Sequence, residues 1–210
     1  MCGRFAQITS IESIKKLFNA KGKNIKIAKN YNLSPTQKAI IVYNKGKIET
    51  NIMNWGISPK WNPDLNIINI RTESLKTKKY FNKLLLKNRC IIPCDGFFEW
   101  KNDKSKKQPY FIKPINNKPF LLAGLYDEKQ NEMKFAIITK PAEKPISDIH
   151  SRMPVILSLN DSILWLSNNN NNRDLMEILY KITESEISFF KVSPLVNNAG
   201  NNFKELIIPI

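Results

Sequence analysis

A single histidine and three cysteines are all that this chain carries of those two residue types, and the scarcity excludes several things. Cys2, Cys90 and Cys94 are too few, and odd in number, for a disulfide framework, which points to a reducing compartment. No run approaches the roughly 18–20 consecutive apolar residues of a membrane span, and the chain does not open on a basic segment followed by an apolar one. A soluble cytoplasmic protein with no membrane partner is the expectation, associated with the nucleoid if the source is bacterial. Acids are short too. With 18 Asp and Glu against 33 Lys and Arg, the formal charge is +15, a field that would concentrate a polyanion near the surface. Nucleic acid is therefore the leading partner class, although abundant Lys, Asn and Ile also fit an AT-rich coding bias.

The 210 residues, 42% of them hydrophobic, are enough to bury one sizeable core. No internal repeat and no compositional shift marks a linker, so one domain spanning 1–210 is expected. Apolar Ile11, Ile14, Leu17 and Phe18 recur at helical spacing between Ser10 and Gly22 and predict a short amphipathic helix over 10–20. β-like runs follow at 39–43, 48–55, 91–100, 110–115, 120–126 and 134–139. Turn signals at Asn44-Lys45-Gly46, Asn102-Asp103 and Asn116-Asn117 separate several of them. Residues 75–86, 161–166 and 173–182 read as helices, the second opened by an Asn160-Asp161 cap. The asparagine run 168–172 reads as a solvated loop with no function of its own. The expected class is α+β, with a mainly antiparallel, curved, barrel-like sheet flanked by short helices.

Cys2 stands directly after the initiator methionine. Removal of Met1 would leave a free α-amine and a thiol on adjacent carbons, a 1,2-aminothiol. With reference pKa values of roughly 7.7–8.0 and 8.5, both groups are partly nucleophilic at neutral pH, and such a pair condenses with an aldehyde to an imine and then a thiazolidine. The alternative is a small residue that happens to lie near the start. Glu99, in Gly96-Phe97-Phe98-Glu99-Trp100, should alternate onto the face opposite Phe98 and Trp100. A carboxylate among aromatics gains a raised pKa suited to proton transfer, and its alternative is an exposed strand glutamate. His150 lies on a polar turn, where it is either a surface residue or a catalytic group on a loop. Asn69 and Arg71 alternate onto one strand face. There Arg71 could hold a phosphate or pair with Glu73. Cys2, Cys90, Cys94 and His150 have the ligand count of a Cys3His zinc site, but with poor spacing, and no metal or other cofactor is expected.

Seven stretches, in order, resemble the SRAP family of abasic-site processing proteins. They are Met1-Cys2-Gly3-Arg4-Phe5, Tyr31-Asn32-Leu33-Ser34-Pro35, Trp55-Gly56-Ile57-Ser58-Pro59-Lys60-Trp61, Asn69-Ile70-Arg71-Thr72-Glu73, Gly96-Phe97-Phe98-Glu99-Trp100, His150-Ser151-Arg152-Met153-Pro154, and the segment from Val192-Ser193 to Val196-Asn197. The resemblance implies a barrel-like fold with a DNA channel leading to Cys2, which links covalently to the ring-opened sugar of an abasic site in single-stranded DNA. It also implies catalytic roles for Glu99 in ring opening, proton transfer and removal of Met1, for His150 in imine chemistry and reversal, and for Asn69 in placing the sugar and amine. Arg4, Arg71 and Arg152 match phosphate-binding positions and Trp61 a stacking or wedging aromatic, with Asn32 and Pro35 in the same DNA-binding set. Met153 stands where some members carry Arg, and Lys60 replaces an aromatic found in some relatives. Two other readings stay open: a non-covalent single-strand-binding module, for which Cys2 has no use, and a thiol peptidase built on Cys2, His150 and Glu99. A monomer is expected.

Overall fold

The computed structural model describes residues 2–22, 25, 27–103, 106–130, 132–183 and 186–210. In chain order the strands are β1 (Phe5–Gln7), β2 (Asn30–Leu33), β3 (Lys38–Asn44), β4 (Ile48–Trp55), β5 (Asn69–Arg71), β6 (Arg89–Cys94), β7 (Gly96–Asp103), β8 (Lys106–Pro114), β9 (Phe120–Lys129), β10 (Glu132–Pro141), β11 (Arg152–Pro154), β12 (Ile156–Leu157) and β13 (Ile187–Lys191). The helices are α1 (Ile11–Phe18), α2 (Thr72–Thr77), α3 (Lys79–Lys87), α4 (Leu159–Leu166) and α5 (Asn172–Tyr180).

Strands β10, β4, β3, β6 and β9 pair in that order, and β9 pairs back onto β10, closing a five-stranded barrel. Closure removes the free edges that an open sheet would leave for aggregation. Side chains alternate across each strand. Ile40, Val42, Ile91, Leu125 and Ile138 face outward, where α1, α3, α4 and α5 cover them with Ile14, Leu85, Trp165 and Leu179. The opposite set, including Ile41, Met53, Trp55, Ile92, Leu122 and Phe135, fills the barrel and meets Cys2, Phe5, Leu33, Phe97 and Ile112. Gly124 makes room inside: a Cβ there would lie 2.4 Å from Ile92 Cδ1 and 2.9 Å from the Ala136 carbonyl oxygen.

The second sheet runs β13-β8-β7-β1-β2, all antiparallel. Its strand β1 is held from several sides. The Gln7 side chain donates to the carbonyls of Ile40 and Pro93 and accepts from the Ile40 N–H. Asp95 accepts from the N–H groups of Ile8 and Thr9 and from the Thr9 hydroxyl. A residue three positions before Phe5 is thereby fixed in space.

The α+β class and the mainly antiparallel barrel-like sheet agree with expectation, with two parallel pairings, β10 to β4 and β10 to β5. Several boundaries differ for physical reasons. The helix expected over 75–86 is two, α2 and α3, broken at extended Lys78. One continuous helix would carry Lys78, Lys79 and Asn82 onto the face of buried Leu75, whereas the break resets the phase so that Phe81, Leu84 and Leu85 are buried. The run 91–100 is two strands parted by Asp95, and β6 joins the barrel while β7 joins the other sheet. Asn102 and Asp103 end β7 instead of forming the turn, and residues 104 and 105 between the strands lie outside the described residues. α4 is capped by Ser158, whose Oγ accepts from the Asp161 N–H at 3.0 Å, not by Asn160. The asparagine run has a structural task after all, because Asn171 caps α5 by accepting from the N–H groups of Arg173 and Asp174. Where α3 and α4 end, buried Arg89 gathers their loose carbonyls: Leu85, Leu86, Trp165 and Ser167 all accept from its guanidinium at 2.6–2.7 Å.

Candidate active site at the amino terminus

The register of β1 on β7 pairs Phe5 with Phe97, and the Phe98 N–H donates to the Arg4 carbonyl. The chain upstream of Phe5 therefore runs back beside Glu99. Along β7, Phe97 packs into the barrel-facing core, while Phe98 and Trp100 turn to a separate cluster with Phe111, Val192 and Val196. Glu99 thus sits on the barrel side, opposite Phe98 and Trp100, and is only 2% exposed. Asn69 opens β5, which lies parallel to β10. Its Nδ2 donates to the Cys2 carbonyl at 2.8 Å, and its Oδ1 is buried with no hydrogen-bond partner among the described residues. His150 lies on the turn before β11, its Nδ1 3.0 Å from the Arg152 N–H nitrogen and 3.2 Å from the Arg152 carbonyl. Glu99 and His150 share a recess of about 400 Å³ with Trp100, Asn102 and Lys107. Those last three had no assigned role in the site, since Asn102 and Lys107 become neighbours only through the β7–β8 register.

Burial sets the protonation states. It pushes the Glu99 carboxyl up from an ordinary 4.5 to about 7, so near neutral pH both its acid and its base form are populated. The Cys2 thiol is fully buried and raised well above its usual range, first by burial and then by the Glu99 charge, while the Arg4 N–H at the sulfur acts the other way. His150 is lowered, first by burial. A neutral imidazole accepts the Arg152 N–H at Nδ1, which leaves the proton on Nε2. Cys90 and Cys94 are buried in the core with thiols pushed up by burial, which makes them poor nucleophiles. Among the described residues no three His, Cys, Asp or Glu side chains converge as a metal site.

The residues expected on a nucleic acid path occupy diverse settings. Arg71, at the end of β5, is exposed and makes no ion pair among the described residues. The pairing weighed between Arg71 and Glu73 is not formed, because Glu73 grips Arg152 instead. Arg4 donates to Asn32 Oδ1 at 2.8 Å and to the Val196 carbonyl at 2.9 Å. Asn32 is 1% exposed and its Nδ2 donates to the carbonyls of Val196, Asn198 and Asn201. Its side chain is thus a clamp on that late segment, not a group open to a ligand. Pro35 lies in the turn between β2 and β3. Trp61 is 64% exposed and stands edge-on to Tyr80 at 4.7 Å.

Residues 1–199 match the family described as SOS response associated peptidase (SRAP). The chain belongs to the SRAP family. Among the relatives of this SRAP protein is the abasic site processing protein YoqW of Bacillus subtilis, 36% identical over 99% of both chains. YedK of Escherichia coli, also named an abasic site processing protein, is 30% identical over the whole of both chains. The rat protein HMCES, which carries the same description, is 27% identical over 88% of this chain and 66% of its own. A crystal structure of a protein from Bacteroides thetaiotaomicron has the same fold, with a TM-score of 0.86 at 19% identity over the full length of both chains. A phage-related protein from Bordetella bronchiseptica superimposes with a TM-score of 0.76 at 26% identity, covering 91% of this SRAP chain and 94% of its own.

Proposed function

We propose that this protein acts on abasic sites in DNA and captures them in single strands through the α-amine and thiol of Cys2 once Met1 has been removed. The observation that carries the reading is the convergence on Cys2: the Asn69 amide on its carbonyl and the buried, near-neutral Glu99 close enough to bias its thiol. The names of the relatives supply the substrate class.

The burial of the thiol dictates an order of events. Sulfur stays protonated at neutral pH, so the amine attacks the ring-opened sugar aldehyde first, forming the C–N bond and a carbinolamine. Glu99 in its acid form donates a proton to the departing hydroxyl, water leaves, and the iminium returns its N–H proton to the Glu99 carboxylate, giving the imine. The thiol then adds to the imine carbon, its proton passing to nitrogen, and the thiazolidine closes with a net loss of one water. Asn69 Oδ1, buried and without a partner among the described residues, is the acceptor that would orient the amine hydrogens. His150 serves proton transfer during formation and reversal. The same cluster hydrolyses the Met1–Cys2 peptide bond, which frees the amine. Arg71, the Arg4 region and Trp61 guide the strand, and the +15 charge draws it in.

Incubating the purified protein with a single-stranded oligonucleotide bearing one abasic site, followed by denaturing electrophoresis, tests this. A heat-resistant shifted band is expected. Retention of Met1 in a protein that still crosslinks would sink the aminothiol chemistry.

A further inference from the structure

Glu73 has no part in the chemistry above, yet its contacts run directly to the turn that carries His150. It lies in the first turn of α2 and accepts both ends of the Arg152 fork, Nη1 to Oε1 at 2.5 Å and Nη2 to Oε2 at 3.0 Å. Arg152 Nη2 also donates to the Thr139 carbonyl at 2.7 Å. The Arg152 side chain is mostly buried, at 13% exposure. Its backbone N–H and carbonyl are the groups that meet His150 Nδ1. One residue is therefore held at the guanidinium by Glu73 and holds the imidazole by its main chain. A bidentate carboxylate fixes the plane of a guanidinium as no single contact does. Arg152 Nε is buried without a partner among the described residues, so the fork to Glu73 and the Thr139 contact are what keep this side chain in place.

We propose that Glu73 is a positioning residue, which braces the His150 turn through Arg152 while its negative charge offsets that of Arg152 toward a passing phosphate. The proposal rests on the capture chemistry above. It makes the Glu at the end of Asn69-Ile70-Arg71-Thr72-Glu73 part of the site: Asn69 holds Cys2, Arg71 stands open to solvent, and Glu73 sets Arg152. It also predicts that binding survives a change that slows the chemistry, which general loss of a structural contact would not give.

The test uses the full chain after Met1 removal, as wild type, Glu73→Gln and Arg152→Lys. Affinity for an undamaged single strand is measured by fluorescence anisotropy, and single-turnover crosslinking to an abasic oligonucleotide is followed at saturating protein across pH. Glu73→Gln removes one negative charge, so its affinity at low salt should hold or rise by about 2–5-fold. Its saturating crosslinking rate should fall by about 5–20-fold, the scale of a misplaced catalytic group. Arg152→Lys keeps the charge but loses the fork, and should show the same fall in rate. The groups around His150 are Glu99 and Lys107 across the recess, the amino-terminal charge and the Arg152 main chain, and Asp148 in the preceding turn, paired to Lys144. The charges that act on the imidazole do not include Glu73 or the Arg152 guanidinium, so the Glu73→Gln pH profile should keep its limbs and lose only height. Should one variant fail to fold, as judged by its thermal melt, the other carries the test. An unchanged rate, or affinity and rate falling together, overturns the role of Glu73. Absence of a crosslink from the wild-type protein overturns the capture chemistry itself, and this role with it.

Discussion

Replacing Glu99 with Gln should make the protein more stable and less active at once. Burial raises the Glu99 carboxyl from 4.5 to about 7, so at pH 7 roughly half of it is protonated, against well under 1% for an ordinary glutamic acid, a gain of about 150-fold in available acid. The linkage has a definite sign. Because the folded pKa lies above the unfolded one, the wild-type carboxyl favours folding fully below about pH 4.5, and that contribution is lost as pH rises to about 7. The loss amounts to on the order of 2–3 kcal/mol, and a glutamine of the same shape does not suffer it. Melting temperatures of the two proteins should thus nearly coincide in mild acid and diverge by roughly 5–10 °C in favour of Glu99→Gln at neutral pH. Glutamine cannot exchange a proton, so crosslinking at pH 7 should slow by about 10²-fold. Circular dichroism melts over a pH series, with single-turnover crosslinking on the same samples, check both halves. A Glu99→Gln protein no more stable than wild type at neutral pH would refute the argument from burial, and one that crosslinks at the wild-type rate would refute the proton-transfer role.

In Cys2→Ser the amine survives and the sulfur does not, so borohydride should trap an imine that heating otherwise destroys, and nicked strands should accumulate by β-elimination. A heat-stable adduct without reductant would argue against the thiazolidine. Arg71→Ala should weaken binding to all single-stranded sequences alike and lower the salt slope by about 0.7, as read by anisotropy titrations at several salt concentrations. Arg89→Met strands four carbonyls at the ends of α3 and α4 and should cost about 2–4 kcal/mol in denaturant unfolding, while the saturating crosslinking rate of the folded fraction stays near wild type.

Much of the barrel is legible because its strands are long and alternate, as in 39–43 and 120–126. The strands that sequence periodicity misses, β1, β2, β11, β12 and β13, have between two and five residues each, too few for a period to stand out. Three short strands assemble the candidate site. β1 delivers Cys2, β5 opens on Asn69, and β11 begins at Arg152. The facing of Glu99 away from Phe98 and Trp100 follows from alternation alone. That Glu73 pairs with Arg152 and not with Arg71 could not be read locally, because the partners lie 79 positions apart and meet only where β5 and β11 flank β10. The clamp role of Asn32 was hidden for the same reason, since the carbonyls it holds are more than 160 residues away.

The central claim is a specific covalent adduct at Cys2, and the measurement that tests it most directly is mass spectrometry of a digested crosslink. The account predicts that the wild-type protein, reacted with an abasic oligonucleotide without reductant, yields an amino-terminal peptide that begins at Cys2, lacks Met1, and carries the sugar fragment with the loss of one water. Fragment ions should confine the added mass to Cys2, with no free thiol there to alkylate. An adduct on any lysine, or one on Cys2 whose thiol still alkylates, would contradict it.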